Sequence, residues 1–157
     1  MEIVIDSPLG NIKLVEKNDR LTELSFTEDS LTSMQENFFL KDAANQIEEY
    51  FSNKRKEFDL PLEPVGTEFQ LKVWHELLNI PFGTTASYQE IANRLGDPKS
   101  IRAAASANGK NPLAIIIPCH RVIGSHGEMT GYAGGIQRKK DLLSLEGAEV
   151  MSQMNIF

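Results

Sequence analysis

The sequence contains very little cysteine: Cys119 is the single one among 157 residues. One cysteine excludes an internal disulfide and a zinc site built from several thiolates. It also leaves no second thiol in the sequence that could regenerate a modified Cys119. Cys119 is therefore either a small apolar core residue, which is the common state of free cysteine, or a reactive thiol.

Long apolar runs are also absent. No stretch of about 18 consecutive apolar residues occurs, and residues 1–9 have neither the basic start nor the apolar run of a secretory signal. We therefore expect a soluble protein of the cytoplasm or nucleus, and we place it in the cytoplasm. The composition, 41% hydrophobic and 24% charged, is typical of a globular chain that builds its core without covalent support.

Positive charge is scarce overall but concentrated in one region. The chain has 16 basic and 22 acidic residues and a net charge of -6, which taken alone disfavours a nucleic-acid binder. Between residues 99 and 140, seven basic residues stand against one acidic residue, Glu128. They are Lys99, Arg102, Lys110, Arg121, Arg138, Lys139 and Lys140. A basic patch and a chance clustering on solvated faces both explain this distribution before motifs are considered.

The first part of the sequence predicts a small antiparallel sheet followed by a helix. Apolar and β-branched residues between turn signals indicate three strands, and apolar residues at helical spacing indicate a helix. The predicted strands are Glu2–Ile5, Asn11–Glu16 and Leu21–Phe26, and the predicted helix is Lys41–Ser52. Two prolines and a glycine at residues 61–66 then predict a linker. We therefore place one domain at residues 1–60 and a second at residues 67–157.

Residues 67–157 predict a mostly helical domain that contains a helix-turn-helix. A capping box at Thr67–Gln70 opens the first helix, and a second box at Ser87–Glu90 opens the next. After a short turn, Asp97 can cap a further helix over Lys99–Asn108. The two halves together predict an α+β fold, in which the first domain, with its small antiparallel sheet, is α/β-like.

The second helix of this motif carries Lys99, Arg102 and a run of small residues at 103–107. Small side chains allow a helix to approach a phosphate backbone or a groove floor closely. An alanine-rich helix packed inside a core shows the same pattern, so the motif alone leaves a DNA-binding helix and a core helix open.

Five apolar residues, Leu113–Ile117, predict a buried strand or extended segment that leads directly into the string Pro118-Cys119-His120-Arg121. A glycine-rich loop follows over residues 124–135. A last helix is predicted over Ile136–Glu146, and residues 151–157 are predicted to form a tail.

Cys119 and His120 are a candidate thiol and imidazole pair, although a histidine with no such role explains His120 as well. Neighbouring side chains in an extended chain point to opposite faces, so contact needs a turn at Pro118 or a bridging water. Arg121 and the positive charge around it are expected to lower the pKa of the thiol, and the thiolate is the nucleophile. A carboxylate is then needed to orient the histidine. The candidates for it are Glu128, Asp141 and Glu146.

The string Ile117–Val122 resembles the active-site motif of the O6-alkylguanine-DNA alkyltransferases, also called methylated-DNA-protein-cysteine methyltransferases. Further motifs of that family's catalytic domain occur in the same order and at the same spacings. They are Phe82-Gly83, Ser87-Tyr88-Gln89, Arg102-Ala103, Gly109 to Pro112, Gly131 to Gly135 and Leu145-Glu146-Gly147. The resemblance covers residues 67–147, about half of the chain. The first 60 residues share only length and a strand-then-helix outline with the family.

The resemblance implies a DNA-repair protein that transfers a methyl or other alkyl group from the 6-oxygen of guanine in duplex DNA to its own Cys119. O4-alkylthymine is a second candidate substrate. Because a thioether is a very poor leaving group and no other cysteine is present, such a methyltransferase acts once per molecule. It flips the target nucleotide out of the duplex, it needs no cofactor, and we expect it to be a monomer.

The resemblance also assigns roles to single residues. His120 is the base, acting through a water and oriented by Glu146. Asn111 holds the turn of the active-site segment, and Tyr88 donates a hydrogen bond to the purine. Arg102 enters the duplex where the nucleotide leaves. The remaining roles that it implies are minor-groove contacts for Ala103 and Ser106 and a wall of the base pocket for Tyr132, Ala133 and Gly134. From their charge, we expect phosphate contacts, made without regard to sequence, for Lys99, Lys110 and Arg121.

The sequence departs from the family's pattern at one position and lacks one of its sites. Ala133 stands where some members have serine, which alters hydrogen bonding to the 6-oxygen. Some members carry a zinc site of cysteine and histidine in the first domain, but no cysteine occurs there and no histidine precedes His75. We therefore predict no metal site.

Two other classes of protein stay open at this point. One is a helix-turn-helix DNA-binding regulator in which Cys119 is structural or senses redox state. Its weakness is that the alanine-rich helix is poor in the side chains that read base edges. The other is a cysteine hydrolase that uses Cys119 and His120 and turns over many times.

Overall fold

The computed structural model describes residues 1–32 and 37–148 of the chain. Contacts divide the described residues into two units, the first formed by those within Met1–Val65 and by Pro112–Ile116, the second by Gly66–Asn111 and residues 117–148. Both units contain strands and helices, which confirms the predicted α+β class. The predicted tail lies outside the described residues. Within the described ranges, every helix is too short or too polar to span a bilayer.

The first unit is built on an antiparallel sheet with the strand order β1-β2-β3. Its strands are β1 (Glu2–Ile5), β2 (Ile12–Lys17) and β3 (Arg20–Phe26), each within one residue of its predicted bounds. Leu14 and Leu24 pair across β2 and β3 and are buried. Between these strands Asn18 and Asp19 have φ angles of 54° and 57°, the left-handed conformation that these residue types tolerate in two-residue hairpins.

One helix, α1 (Phe38–Phe51), packs against this sheet. Asn37 caps it, since its side-chain oxygen accepts a hydrogen bond from the Leu40 N–H at 2.9 Å. The predicted start at Lys41 is three residues late. The reason is that Phe38 is 83% exposed and does not continue the apolar stripe that the prediction followed.

The segment Pro112–Ile116 belongs to the first unit and is not the strand that its apolar run predicted. Leu113 makes an isolated parallel bridge with Leu24. The chain then turns, and Ile115 takes a φ angle of 73°, which ends the extended backbone. An apolar run indicates burial but does not distinguish a strand from a buried turn, and for that reason the strand prediction was wrong.

The second unit contains α2 (Glu68–Leu77), β4 (Ala86–Ser87), α3 (Tyr88–Arg94), α4 (Ile101–Gly109), β5 (Val122–Ile123) and α5 (Ile136–Leu145). Thr67 and Gln70 form the predicted reciprocal capping box at the start of α2. Helices α3 and α4 form the predicted helix-turn-helix. The three residues Pro98–Ser100 are a 3-10 turn, so α4 begins at Ile101 and not at Lys99.

Helix α4 has one buried face and one exposed face, so packing inside the core explains only some of its small residues. Ala104 and Ala107 are buried, and the indole N–H of Trp74 donates to the Ala107 carbonyl at 2.8 Å. Ala103 and Ser106 are exposed on the other face. The small residues thus allow close helix packing on one side and leave a smooth surface on the other.

The parallel pairing of β4 with β5 brings distant parts of the sequence together. Ala86 pairs with Val122, and Ser87 pairs with Ile123. Tyr88 directly follows β4, and the residues 119–121 directly precede β5. The pairing therefore places Tyr88 beside the segment that carries the cysteine.

Candidate active site

Cys119 begins a single turn of 3-10 helix, Cys119–Arg121, directly after Pro118. Two hydrogen bonds of 2.7 Å shape this turn: the Cys119 N–H and the Asn111 side-chain amide both donate to the carbonyl of Ile117. The cysteine is only 4% exposed. The chain is therefore tightly turned where the reactive thiol is predicted, and Asn111 lies at the position where it can hold that turn.

Burial raises the pKa of the Cys119 thiol to about 11. A hydrogen bond from Asn111 and the positive charge of Lys139 act in the opposite direction, but less strongly. The expectation that Arg121 lowers this pKa is wrong, because the Arg121 guanidinium is paired with the Glu146 carboxylate. At pH 7 the free protein therefore holds Cys119 as a thiol, and a reaction at its sulfur needs a base.

His120 is fully buried, and its Nε2 lies 2.7 Å from Oε2 of Glu146. A carboxylate accepts hydrogen bonds, so Nε2 carries the proton and Nδ1 keeps its lone pair. Among the described residues, Nδ1 has no hydrogen-bond partner. Burial lowers the pKa of His120, although Glu146 opposes that effect, so the imidazole is neutral at pH 7. A neutral, oriented imidazole with a free lone pair is suited to accept a proton.

The structure brings Glu146 to the histidine, out of the three candidate carboxylates. Asp141 accepts a hydrogen bond from Gln137 at 3.0 Å, and Glu128 is exposed in the glycine-rich loop. Burial alone would raise the pKa of Glu146, but hydrogen bonds from His120 and Arg121 outweigh burial and lower it to about 2. Glu146 is therefore ionised throughout the physiological range.

Arg121 completes this cluster, which we call the buried relay (His120, Arg121 and Glu146). Its Nε and Nη2 donate to the two carboxylate oxygens of Glu146 at 2.8 and 3.0 Å, and its Nη1 donates to the Ile80 carbonyl at 2.7 Å. The residue is 7% exposed. The prediction that Arg121 contacts a DNA phosphate is therefore revised, because the residue is buried and its charge is paired with Glu146 inside the protein.

Tyr88 lies at the start of α3 and is half-buried. Its hydroxyl donates to the carbonyl of Thr130 in the glycine-rich loop at 3.0 Å. Burial raises the pKa of this hydroxyl, so it remains a proton donor at neutral pH. Gly131 follows with a φ angle of 68°, and a Cβ there would lie 3.4 Å from the Tyr88 hydroxyl oxygen. A side chain at position 131 would strain the backbone because of this positive φ angle.

The three residues predicted to form a wall of the base pocket differ in exposure. Tyr132 is buried, and its hydroxyl has no hydrogen-bond partner among the described residues. Burial raises the pKa of Tyr132, and the charge of a Cys119 thiolate raises it further, which indicates that the phenol is near the cysteine. Ala133 is exposed and Gly134 is half-buried.

The predicted DNA contacts on α4 and just beside it form what we call the exposed α4 face. It consists of Lys99, Arg102, Ala103, Ser106 and Lys110, all of them exposed. Lys99, Ala103, Ser106 and Lys110 follow one another at intervals of three or four residues, and Arg102 is next to Ala103, which places all five along one side of the helix. By contrast, Arg121 and Lys139, which the basic cluster of the sequence included, are buried. The basic surface is therefore smaller than the sequence count indicated.

Sequence reasoning missed two buried polar residues near Cys119. Asn108, in the last turn of α4, is 2% exposed and donates to the Cys119 carbonyl at 3.3 Å. Lys139, on α5, is 0% exposed and donates to the Thr130 carbonyl at 2.8 Å. The sequence contains no signal for either: Asn108 is an ordinary residue for a helix end, and lysine is almost never fully buried.

Comparison with known proteins identifies both parts of the chain. Residues 68–148 match the DNA binding domain of 6-O-methylguanine DNA methyltransferase, and residues 1–64 match its ribonuclease-like domain. The methylated-DNA–protein-cysteine methyltransferase of Methanosarcina barkeri is 47% identical over 149 residues, 91% of this chain and 94% of the relative. That of Mycobacterium tuberculosis is 43% identical over 158 residues, 98% of this chain and 96% of the relative. The chain belongs to this methyltransferase family.

Solved structures of the methyltransferase family share the fold. The crystal structure of Mycobacterium tuberculosis O6-methylguanine methyltransferase has a TM-score of 0.84 and 45% identity, covering 93% of this chain and 92% of that chain. Mycobacterium tuberculosis OGT in complex with DNA has a TM-score of 0.82 and 42% identity, covering 97% and 98%. The predicted activity, DNA repair by a methyltransferase with DNA as its partner, is thereby confirmed. The regulator and the hydrolase find no support among these relatives.

Proposed function

We propose that this methyltransferase moves the alkyl group of O6-alkylguanine in duplex DNA to Sγ of Cys119. The observation that carries the proposal is the buried relay beside a buried thiol. His120 follows Cys119 directly, its Nε2 is committed to Glu146, and its Nδ1 lone pair is without a partner among the described residues. This arrangement supplies the base that a thiol with a pKa of about 11 requires.

The proposed reaction begins with loss of the thiol proton. The proton passes through a water to His120 Nδ1, and the imidazolium that forms is held by the Glu146 carboxylate. The sulfur attacks the alkyl carbon, the new S–C bond forms as the C–O6 bond breaks, and the electron pair of that bond goes to the guanine. A hydrogen bond from Tyr88 to the purine stabilises the departing base. The proton held by His120 is then returned through solvent to the guanine anion, so the products are neutral guanine and S-alkylated Cys119.

The reaction is proposed to stop after one transfer. The product is a thioether, from which a second nucleophile does not displace the alkyl group under mild conditions. The sequence contains no other thiol that could accept the group. The protein is therefore consumed in the reaction and needs no cofactor.

Access to the lesion is proposed to depend on the exposed α4 face. A base stacked in the duplex must be flipped out, which costs a few kcal/mol, and a side chain that fills the vacated space offsets part of that cost. Arg102 is exposed on α4 and has the length and charge for this role. Lys99 and Lys110 can contact phosphates without regard to sequence, and Ala103 and Ser106 present small side chains to the minor groove.

The base pocket is proposed to be lined by Tyr132, Ala133 and Gly134 in the glycine-rich loop. Tyr132 is buried near Cys119, which supports a place beside the reacting atoms. Ala133 has no hydroxyl to offer to the 6-oxygen. We expect this difference to affect which alkyl groups are accepted.

The test uses three matched duplexes, which carry one O6-methylguanine, one O4-methylthymine or no lesion. We expect methyl transfer from the O6-methylguanine duplex with an amplitude equal to the amount of protein and no further turnover. Transfer from the thymine duplex would extend the substrate range. Continued turnover would favour the hydrolase, and binding without transfer from either lesion would favour the regulator.

Three further predictions from the sequence are proposals of the same kind. The monomeric state can be measured by light scattering, and the cytoplasmic location by fractionation of cells. The boundaries at residues 60 and 67 can be tested by limited proteolysis, which we expect to cut first at residues 64–66, because Pro61 and Glu63 are hydrogen-bonded to Leu21 of β3.

A further inference from the structure

Asn108 is a buried asparagine in the last turn of α4 that the proposed mechanism does not use. Its Nδ2 donates to the Cys119 carbonyl at 3.3 Å, whereas its Oδ1 has no hydrogen-bond partner among the described residues. A buried carbonyl oxygen without a partner costs free energy that an aliphatic side chain of similar size would not cost. The need to fill space therefore does not explain an asparagine at this position.

The end of α4 lies close to the glycine-rich loop that carries the hydrogen-bond acceptor of Tyr88. The residue after Asn108 is Gly109, and a Cβ placed on it would lie 3.9 Å from the Gly131 carbonyl oxygen. A Cβ placed on Gly131 would in turn lie 3.4 Å from the Tyr88 hydroxyl oxygen. This hydroxyl donates to the Thr130 carbonyl at 3.0 Å. The last turn of α4, the glycine-rich loop and the start of α3 therefore meet around the Tyr88 hydroxyl.

The amide of Asn108 reaches the same hydroxyl. Burial raises the pKa of Tyr88, and hydrogen bonds with Thr130 and Asn108 act in the opposite direction. An amide nitrogen carries two hydrogens, so Nδ2 can donate one to the Cys119 carbonyl and the other to the Tyr88 oxygen. Asn108 therefore connects the turn that carries the cysteine with the tyrosine.

A donor at the Tyr88 oxygen restricts where the tyrosine's own hydrogen can point. A phenol oxygen that accepts a hydrogen bond directs its O–H away from that donor, and in the free protein this O–H points to the Thr130 carbonyl. When a purine enters the base pocket, the O–H can turn to an acceptor atom of the purine but not toward Asn108. Accepting one hydrogen bond also makes the phenol a stronger donor, because connected hydrogen bonds polarise each other.

We propose that Asn108 is a positioning residue that keeps Tyr88 a hydrogen-bond donor to the departing purine. Its amide holds the phenol oxygen and the Cys119 carbonyl together, so that the donor and the nucleophile keep their relative position. Asn108 itself contacts neither the alkyl group nor the purine and acts through Tyr88. The inference rests on the proposed transfer to Cys119 and on the role of Tyr88 in it.

The experiment compares two reactions of Cys119: methyl transfer from a saturating O6-methylguanine duplex, and alkylation by iodoacetamide. Both form a bond to the sulfur, but only the first releases a purine that accepts a hydrogen bond from Tyr88. Asn108→Leu has a side chain of similar size without the amide, and both rates are measured for it alone and combined with Tyr88→Phe. Asn45→Leu, on the exposed side of α1, is the matched control.

We expect Asn108→Leu to slow methyl transfer about tenfold, as for one hydrogen bond lost in the transition state. Iodoacetamide alkylation should stay within about twofold of the wild-type rate, because the Val122 N–H also donates to the Cys119 carbonyl. In the Tyr88→Phe background, Asn108→Leu should slow methyl transfer by no more than about twofold, since the effects of residues that act through one another are not additive. Asn45→Leu should leave both rates unchanged.

An asparagine that only supports the cysteine-bearing turn gives a different result. Equal slowing of both reactions, or a loss of methyl transfer that persists undiminished in the Tyr88→Phe background, would overturn the proposal. Wild-type methyl transfer by Asn108→Leu would overturn it as well. If circular dichroism shows that Asn108→Leu does not fold, Asn108→Ala decides in the same way.

Failure of the proposed function is seen in the wild type and not in the variants. If iodoacetamide alkylates Cys119 of the wild type but the methylated duplex transfers no methyl group to it, the proposed function is refuted, and this role of Asn108 with it. If the wild type accepts the methyl group and the Asn108 variants behave as a structural residue predicts, only the inference about Asn108 is refuted.

Discussion

The buried relay and the exposed α4 face lie in the same unit, and both contain arginine, but they differ in their access to water. Arg121 is held by Glu146 and a backbone carbonyl inside the protein, whereas Arg102 projects from α4 into solvent. In a buried site each charge changes the protonation of its neighbours strongly, while at the surface water and salt screen it. The same side chain therefore suits two different proposed roles, holding the carboxylate of the buried relay in one place and contacting DNA in the other.

Replacing the proposed alkyl acceptor, Cys119, is expected to have the largest effect on activity. It should abolish the reaction in the buried site and leave DNA binding by the exposed α4 face unchanged. Cys119→Ser removes the thiolate nucleophile and leaves the exposed α4 face intact. We expect methyl transfer to be abolished while affinity for duplex DNA is unchanged, as measured by transfer assay and fluorescence anisotropy. A serine variant that still transfers methyl groups, or one that no longer binds DNA, contradicts the separation.

Breaking the buried relay is expected to cost stability as well as activity. Glu146→Gln leaves the Arg121 charge buried without its partner, which destabilises the fold by roughly 3–5 kcal/mol, and it takes from His120 the group that orients it. Urea unfolding at pH 7 measures the loss. The control Glu128→Gln, on an exposed residue, is expected to change stability by less than about 0.5 kcal/mol.

The pH dependence of this loss can be worked out from Glu146. Its pKa is about 2 in the folded protein and near 4.5 in an unfolded chain, so the stability it contributes is complete above the unfolded value and disappears as pH falls toward the folded one. The difference between wild type and Glu146→Gln should therefore shrink between pH 4.5 and pH 2. A difference that is constant over this range refutes the assignment of a strongly lowered pKa.

A substitution on the exposed α4 face is expected to slow the repair of duplex DNA more than it slows the methyl transfer step itself. Arg102→Ala removes the side chain proposed to fill the space of the flipped nucleotide. We expect repair of a methylated duplex to slow about tenfold or more, a change of about 1.4 kcal/mol, while reaction with free O6-methylguanine stays near the wild-type rate. Equal losses on both substrates would remove Arg102 from the flipping step.

The smallest effect is expected when a single proposed phosphate contact is removed, and this effect is on affinity for DNA. Lys99→Ala should weaken binding to all duplex sequences by a similar factor and reduce the slope of log affinity against log salt by about 1. Titrations at several salt concentrations, on lesion-free duplexes of different sequence, measure it. A loss confined to one sequence would show that Lys99 reads bases instead.

The sequence predicts those parts of the molecule whose structure is decided locally. The capping box at Thr67–Gln70, the hairpin turn at Asn18 and Asp19 and the helix-turn-helix depend on neighbouring residues, and all three occur in the structure. The segment Leu113–Ile117 depends on contacts with β3, about 90 residues away, and its turn was not predicted.

The candidate active site also has parts that the sequence predicts and parts that depend on tertiary packing. The motif around Cys119 is readable in the sequence, and the family resemblance selects Glu146 from three carboxylates. The burial of Arg121 and Lys139 results from tertiary packing, which no local pattern encodes, and both were grouped with surface charges. A count of charged residues overestimates the charge on the surface when some of them are buried. Such cases are hard to predict from sequence, since charged residues usually lie on the surface.

The most direct test of the account is to locate the transferred methyl group by peptide mass spectrometry after reaction with a duplex carrying one O6-methylguanine. We predict that the peptide containing Cys119 gains one methyl group, that the gain saturates at one per protein molecule, and that Cys119→Ser shows none. A methyl group found on another residue, or an unmodified Cys119 peptide after the lesion has been repaired, contradicts the assignment of Cys119 as the acceptor.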